Sequence, residues 1–384
     1  MIPYGRQNIN QKDIDAVVEV LRSDFLTQGP VVPAFEESLI KYCGVNYAVA
    51  VNSATSALHI ACLSLGVGPG DIVWTSPITF AASANCALYC GATIDFVDID
   101  KHTYNMSVER LAEKLSHAEK IGKLPKVIIP VHLCGQSSDM RSIHELSKQY
   151  GFKIIEDASH AIGGKYREEQ IGNCRYSDIT VFSFHPVKII TAGEGGIALT
   201  NNSMLAKKMG LLRSHGITRE VNEMTHSPDG PWYYQQVNLG FNYRLTDVQA
   251  ALGLSQMQRV DEFVYKRNII AKRYEYLLSD LLVVPPQQHK DSYSAFHLYV
   301  IRLKLNNICK THRQVFEAMR AKEVGVNLHY IPVYHHPYYQ QMGFKEGYCP
   351  QAEQYYSEAI SIPMYPGLTE KQQDEVVMAI RESI

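Results

Sequence analysis

The sequence predicts an α/β fold: a large domain on a mainly parallel sheet flanked by helices, followed by a smaller C-terminal α/β domain. Three observations predict it. Between about residues 47 and 200, short β-branched runs alternate strictly with stretches of helical periodicity. The strand runs are nearly continuous in apolar residues, as strands covered on both faces must be. The chain of 384 residues also exceeds one ordinary core, and its pattern changes after Leu245. We therefore expect residues 1–245 to form the large domain, and 246–384 a long linking helix with the smaller domain.

AVAVN (48–52) reads as a strand and SALHIACLSL (56–65) as the helix after it. DIVWTS (71–76) is followed by FAASANCALYC (80–90), and TIDFVDI (93–99) by a polar amphipathic stretch. KVIIPV (126–131) leads into MRSIHELSKQY (140–150), and KIIED (153–157) closes the series. Strand and helix in this succession give parallel neighbours through right-handed crossovers. ITVFSF (179–184) and GGIALT (195–200) lie close enough in the chain to be neighbouring strands. From Thr246 to Leu281 apolar residues recur at helical spacing, with Arg and Lys on the other face. That predicts one long helix, ended by Pro285 and Pro286. FHLYVIRL (296–303) and RQVFEAMRAKE (313–323) then resume the alternation. GVGPGD (66–71) imitates a dinucleotide-binding glycine pattern. It follows a helix, however, and Pro69 lacks an amide proton, so it reads as a helix stop and turn.

Hydrophobic residues make up 46% and charged residues 20%, the balance of a soluble globular protein. A net charge of −2, with acids and bases interspersed, gives no reason to expect nucleic acid or an anionic membrane as partner. The 8 cysteines include no CxxC pair, and His335 and His336 stand beside Pro337 with no carboxylate at ligand spacing, so no metal site is expected. MIPYGRQNIN lacks a basic region followed by an apolar stretch, and no window approaches the ~20 apolar residues of a membrane span. These features lead us to expect a cytoplasmic protein with reduced thiols.

Three segments carry chemistry. In IIEDASHAIGG (154–164) two acids close a buried strand, at the end of the sheet where α/β proteins bind ligands. By position alone, such a carboxylate reads equally well as a helix cap. FSFHPVKIITAGEGG (182–196) sets Lys188 in apolar, β-rich surroundings before a glycine-rich turn. Desolvation there favours the free amine, the form that attacks carbonyls, whereas an average lysine is a solvated surface residue. VNSATSALHIA (51–61) runs from a strand through hydroxyl residues into a helix. The first N–H groups of that helix suit a phosphate, although a plain N-cap gives the same pattern.

The order NSATSAL, SPITFAASAN, EDASHAIGG, SFHPVKIITAGEGG, RSHG and GFNYRLTDVQAALGLSQM resembles the DegT/DnrJ/EryC1/StrS family of sugar aminotransferases. The likeness runs from Tyr4 to SIPMYPGLT near the C-terminus. It implies the aspartate aminotransferase-like fold type I of PLP-dependent transferases, pyridoxal 5'-phosphate as cofactor, and a homodimer with shared active sites. Carried over by motif, Lys188 would hold the cofactor as a Schiff base and be the catalytic proton carrier. Asp157 would pair with the pyridine nitrogen and Phe80 lie on the ring face. Ala54, Thr55 and Ser183 would hold the phosphate, with Asn242 reaching in from a neighbouring subunit. His160 stands where the family commonly has Gln, near the ring hydroxyl, a departure that leaves its hydrogen bond open.

Within the family, FSFHPVK, DASHA, FHLYVI and LHYIPVYHHPYYQQMGF look most like the branch serving pseudaminic acid synthesis. That likeness implies L-glutamate as amino donor and a UDP-linked 4-keto-6-deoxy-N-acetylhexosamine as the nucleotide-sugar acceptor, for bacterial surface or flagellar glycans. Tyr4, Asp24, Phe25, Leu26 and Thr27, with Leu328, His329, Tyr330 and Ile331, match that branch's substrate-contacting positions. Without the resemblance, Phe80 is an ordinary core residue at a helix start, and His329 and Tyr330 are strand residues. Amination of another nucleotide sugar, such as a bacillosamine or perosamine precursor, stays open, as does a cofactor-binding member without turnover. A sugar dehydratase on this scaffold replaces the lysine with histidine, and Lys188 argues against it.

Overall fold

The computed structural model describes residues 1–384. Its main sheet has seven strands, β1 (Tyr47–Val51), β2 (Ile72–Thr75), β3 (Thr93–Phe96), β4 (Val127–Ile129), β5 (Lys153–Asp157), β6 (Ile179–Ser183) and β7 (Gly196–Thr200). They lie in the order β1-β7-β6-β5-β4-β2-β3. Every pair is parallel except those made by β7, which opposes both its neighbours. The predicted alternation is thus a mainly parallel sheet, and ITVFSF and GGIALT are neighbours in it. β4, β6 and β7 are buried along their whole length, which accounts for their unbroken apolar runs. The loop from Phe184 to Gly195 contains no helix, so the chain has no crossover with which to start a parallel strand, and β7 runs back.

The first part of the chain supplies helices α1 (Gln11–Leu21), α2 (Ala54–Ser64) and α3 (Ala82–Tyr89). The single helix expected from 246 to 281 is two, α4 (Asp247–Met257) and α5 (Val260–Leu277). At the junction Arg259 leaves helical geometry (φ −120°, ψ 8°). Its guanidinium reaches the buried Asp13 carboxylate of α1 at 2.5 Å and the Asn8 carbonyl at 3.1 Å. Ser255 and Gln256 donate to the same carboxylate, at 2.6 and 2.7 Å. A carboxylate this deep needs such partners, and gathering them around it breaks the helix.

α4 places Ala250 and Met257 in an apolar core with residues of β1, β6 and β7. α5 begins in that core with Val260, Phe263 and Val264, and ends in another with Ile270, Ala271 and Tyr274. α5 therefore runs from one core into the other. The second core surrounds a three-stranded antiparallel sheet, β8 (Val283–Val284), β9 (Tyr299–Leu303) and β10 (Ala359–Ile362). The buried Arg267 of α5 fastens it by donating to the carbonyls of Phe296, His297 and Met364 at 3.0–3.1 Å.

The first residues of the chain join this second core. Ile2 is buried in it, the Gly325 N–H donates to the Ile2 carbonyl at 2.7 Å, and the Met364 N–H donates to that of Tyr4 at 2.9 Å. No helix is long and apolar enough to cross a membrane.

Candidate active site

A cavity of about 470 Å³ opens at the C-terminal ends of β5 and β6, a size suited to a small-molecule ligand. Its wall takes Ser53, Ala54 and Thr55 from the turn into α2, and Thr79 and Phe80 from the start of α3. Asp157, Ser159 and His160 follow β5, while Ser183, His185, Lys188 and Glu194 follow β6. Tyr4, His329 and Tyr330 come from the two ends of the chain.

Alternation along β5 separates its two acids. Glu156 meets His132 Nε2 at 2.7 Å and accepts from the Ser177 and Thr180 hydroxyls, so it is a structural ion outside the cavity. Asp157 faces the cavity. One of its oxygens accepts from Ser83 Oγ at 2.6 Å, the other from Ser159 Oγ at 2.6 Å and the Ser159 N–H at 3.1 Å. Oδ2, which accepts one bond, keeps acceptor capacity for a further donor.

Lys188 sits in a turn closed by its own N–H donating to the His185 carbonyl at 2.9 Å. Burial pulls its pKa from 10.5 down to about 8, against the opposing charge of Asp157. The free amine is therefore accessible near neutral pH.

Ser53 caps α2 by accepting from the Ser56 N–H at 3.1 Å. The N–H groups of Ala54 and Thr55 precede the first intrahelical bond, at the positive end of the helix dipole. Gly196 of β7 passes directly beneath: a Cβ there would lie 2.4 Å from the Ala54 nitrogen. Ser183 adds a buried hydroxyl at the end of β6. Phe80 is 63% exposed, which overturns its reading as a core residue, and its ring centroid lies 6.3 Å from that of Tyr330. An exposed ring on a cavity wall is a platform for a flat ligand.

His160 accepts the Cys134 N–H at Nδ1 (3.3 Å), and its Nε2 is 3.1 Å from Tyr330 Oη. Burial is the main force holding its pKa well below 6.5. Burial likewise pulls His329 down to about 4; its Nδ1 is 2.8 Å from Ser361 Oγ and its ring tilts against Tyr4.

The other expected residues lie elsewhere. Asp24–Thr27 form a surface loop beside α4, with the Asp247 N–H donating to the Leu26 carbonyl at 3.0 Å. Phe25 and Leu26 are 54% and 50% exposed. Asn242 is exposed on a segment bridged to Ser214. Leu328 and Ile331 flank the two cavity residues without lining the wall. Within one chain none of these reaches the cavity.

Sequence reasoning misses Ser83, Ser159, His185 and Glu194. Ser83 stands one helical turn after Phe80, and Ser159 two residues after an Asp, a spacing that signals a local side-chain turn. His185 and Glu194 flank Lys188 with Nε2 and Oε1 4.0 Å apart, and only their nearness to it in the chain marks them. His335, without a carboxylate near it in sequence, meets Glu353 at 3.1 Å.

The donor set fits pyridoxal 5'-phosphate. It offers a depressed amine for an aldehyde, a fixed carboxylate for a pyridine nitrogen, an aromatic face for the ring and a helix start for the phosphate.

Residues 7–381 match the model of the DegT/DnrJ/EryC1/StrS aminotransferase family. The UDP-4-amino-4,6-dideoxy-N-acetyl-beta-L-altrosamine transaminase of Campylobacter jejuni is 40% identical over 367 residues, 95% of this chain and 93% of that protein. The structure of Helicobacter pylori PseC, an aminotransferase involved in the biosynthesis of pseudoaminic acid, matches with a TM-score of 0.90 at 31% identity, over 100% of this chain and 98% of that one. Spr1654 from Streptococcus pneumoniae, in its PLP form, matches at 0.88 and 27% identity, over 100% and 99%.

Proposed function

Because the chain belongs to the DegT/DnrJ/EryC1/StrS aminotransferase family, we propose that it moves the amino group of L-glutamate to C4 of a UDP-linked 4-keto-6-deoxy-N-acetylhexosamine, with pyridoxal 5'-phosphate as cofactor. The acceptor is UDP-2-acetamido-2,6-dideoxy-beta-L-arabino-hex-4-ulose, the sugar of pseudaminic acid biosynthesis. The observation that carries the chemistry is the convergence of Lys188, Asp157 and the open start of α2 on one cavity. The choice of sugar is supported by the 40% identity to the Campylobacter jejuni enzyme.

When bound, the cofactor supplies a conjugated ring that spreads the negative charge developing on the carbon beside the transferred nitrogen. Lys188 Nζ, uncharged as pH rises past about 8, acts first as nucleophile toward a carbonyl. It then takes the proton from the donor's α-carbon and, in the second half of the cycle, delivers one to C4 of the sugar. Asp157 would hold the ring nitrogen in its protonated form, and its bonds to Ser83 and Ser159 stop the carboxylate from turning away. Phe80 would lie against the face of the ring, while the amides of Ala54 and Thr55, with Ser183, would hold the phosphate. Asn242 and the 24–27 loop act from a second chain, so the working unit is a cytoplasmic homodimer.

A panel of 4-keto nucleotide sugars with glutamate, scored by product mass and by configuration at C4, tests this reading. The L-arabino 4-ulose is expected to give the highest kcat/KM. Product from a bacillosamine or perosamine precursor alone would reassign the sugar. A cofactor absorbance band left unchanged by glutamate would remove the transaminase reading altogether.

A further inference from the structure

Cys134, inside a short 3-10 turn (Leu133–Gly135), has φ 60° and ψ 2°. Left-handed backbone is costly for a residue with a side chain and persists only where its surroundings impose it. Here it aims the Cys134 N–H at His160 Nδ1, 3.3 Å away. A peptide N–H can only donate, so Nδ1 must present its lone pair. The imidazole is buried and neutral, and its single proton therefore sits on Nε2. That nitrogen is 3.1 Å from Tyr330 Oη, so the bond runs from histidine to phenol. Tyr330 makes no other side-chain hydrogen bond within the protein, and its ring lines the cavity near Phe80. A hydroxyl that already accepts one bond keeps its hydrogen for another partner. His297, with its ring centroid 4.4 Å from that of His160, packs the imidazole in place.

We propose that His160 is a positioning residue that acts through Tyr330, committing its Nε2–H to the phenol oxygen so that the Tyr330 hydroxyl hydrogen is presented to a ligand oxygen bearing negative charge. The dyad answers what a histidine does at a position where the family commonly has Gln. It rests on the aminotransferase reading only for the identity of that oxygen, which belongs either to the cofactor ring or to C4 of the sugar.

NMR of the cofactor-free protein with isotope-labelled histidine rings reads the tautomer without any activity, the His160 signal being assigned by its loss in His160→Gln. A protonated Nε2 is expected, and a proton on Nδ1 overturns the proposal even if the transaminase reading stands. In the cofactor-loaded protein, Tyr330→Phe and His160→Ala should each lower the same quantity about tenfold, and the double variant no further. A loss of pyridoxal phosphate affinity assigns the cofactor oxygen. A loss of kcat/KM for the nucleotide sugar, with the glutamate half-reaction intact, assigns the sugar oxygen. His160→Gln retains a donor for Tyr330 and should restore most of the loss; it also covers the case in which the alanine variant misfolds. Additive losses, or a Tyr330→Phe variant unchanged in both quantities, overturn the dyad.

Discussion

The floor of the cavity and the segments expected to reach in from a second chain are built on opposite terms. Asp157, Ser183 and the amides of Ala54 and Thr55 hang on strand ends and a helix start that are locked into the main sheet. Asp24–Thr27 and Asn242 lie on the surface and stop short of the cavity. Buried backbone must satisfy every hydrogen bond internally, which leaves the floor one arrangement. Surface segments carry no such demand and are free to vary with the ligand. One chain thus brings Lys188, Asp157 and the start of α2 together with Tyr4, His329 and Tyr330, whereas Asp24–Thr27 and Asn242 stay outside that cavity.

Removing Lys188 is expected to have the largest effect. Lys188→Ala should lower amine transfer about 10⁴-fold while far-UV circular dichroism and the urea midpoint stay near those of the parent. The folded lysine titrates below its ordinary 10.5, so its reactive form grows as pH rises; the rate of pyridoxal phosphate uptake by cofactor-free protein should climb to half its maximum at about pH 8. A rate flat from pH 6 to 9 would detach Lys188 from the floor. Next in size, Gly196→Ala forces a Cβ against the Ala54 nitrogen, 2.4 Å away, and should cost about 1–3 kcal/mol in urea unfolding, together with a weaker hold on the phosphate. If affinity for pyridoxal phosphate is untouched, the helix start is not the anion site.

The smallest effect should fall on the surface segments. Asn242→Ala is expected to weaken cofactor binding about tenfold, the worth of one hydrogen bond. Mixing this variant with Lys188→Ala then decides whose cavity it serves. If Asn242 acts across the interface, a mixed dimer carries one fully intact site and activity rises at limiting cofactor. No gain on mixing would return Asn242 to its own chain and erase the contrast between floor and surface segments.

The strands were legible because covering on both faces demands unbroken apolar runs; Asp157 was legible because it ends such a run, and Lys188 because it follows one closely, before a glycine-rich turn. The reversal of β7 was not, since a run buried on both faces looks the same in either direction. The break at Arg259 was hidden for another reason. Gln258 and Arg259 are good helix formers, and what pulls the chain out of helix is Asp13, 246 residues away in sequence. Tyr330 and His160 are likewise separated by 170 residues, so their bond leaves no local trace. Phe80 was ambiguous because an aromatic at a helix start serves a core or a platform equally well, and only its exposure distinguishes them.

The pairing of residues 2–4 with Gly325 and Met364 also sets a timetable. Translation at about 5–20 residues per second means that Ile2 waits roughly 15–65 s for its partner to leave the ribosome. In the later part of that interval Lys188 and Asp157 are already made, while Tyr4, His329 and Tyr330 are not yet in position. A nascent chain halted between residues 188 and 325 would thus present the Lys188 amine in a cavity without its outer wall, open to any small aldehyde in the cell.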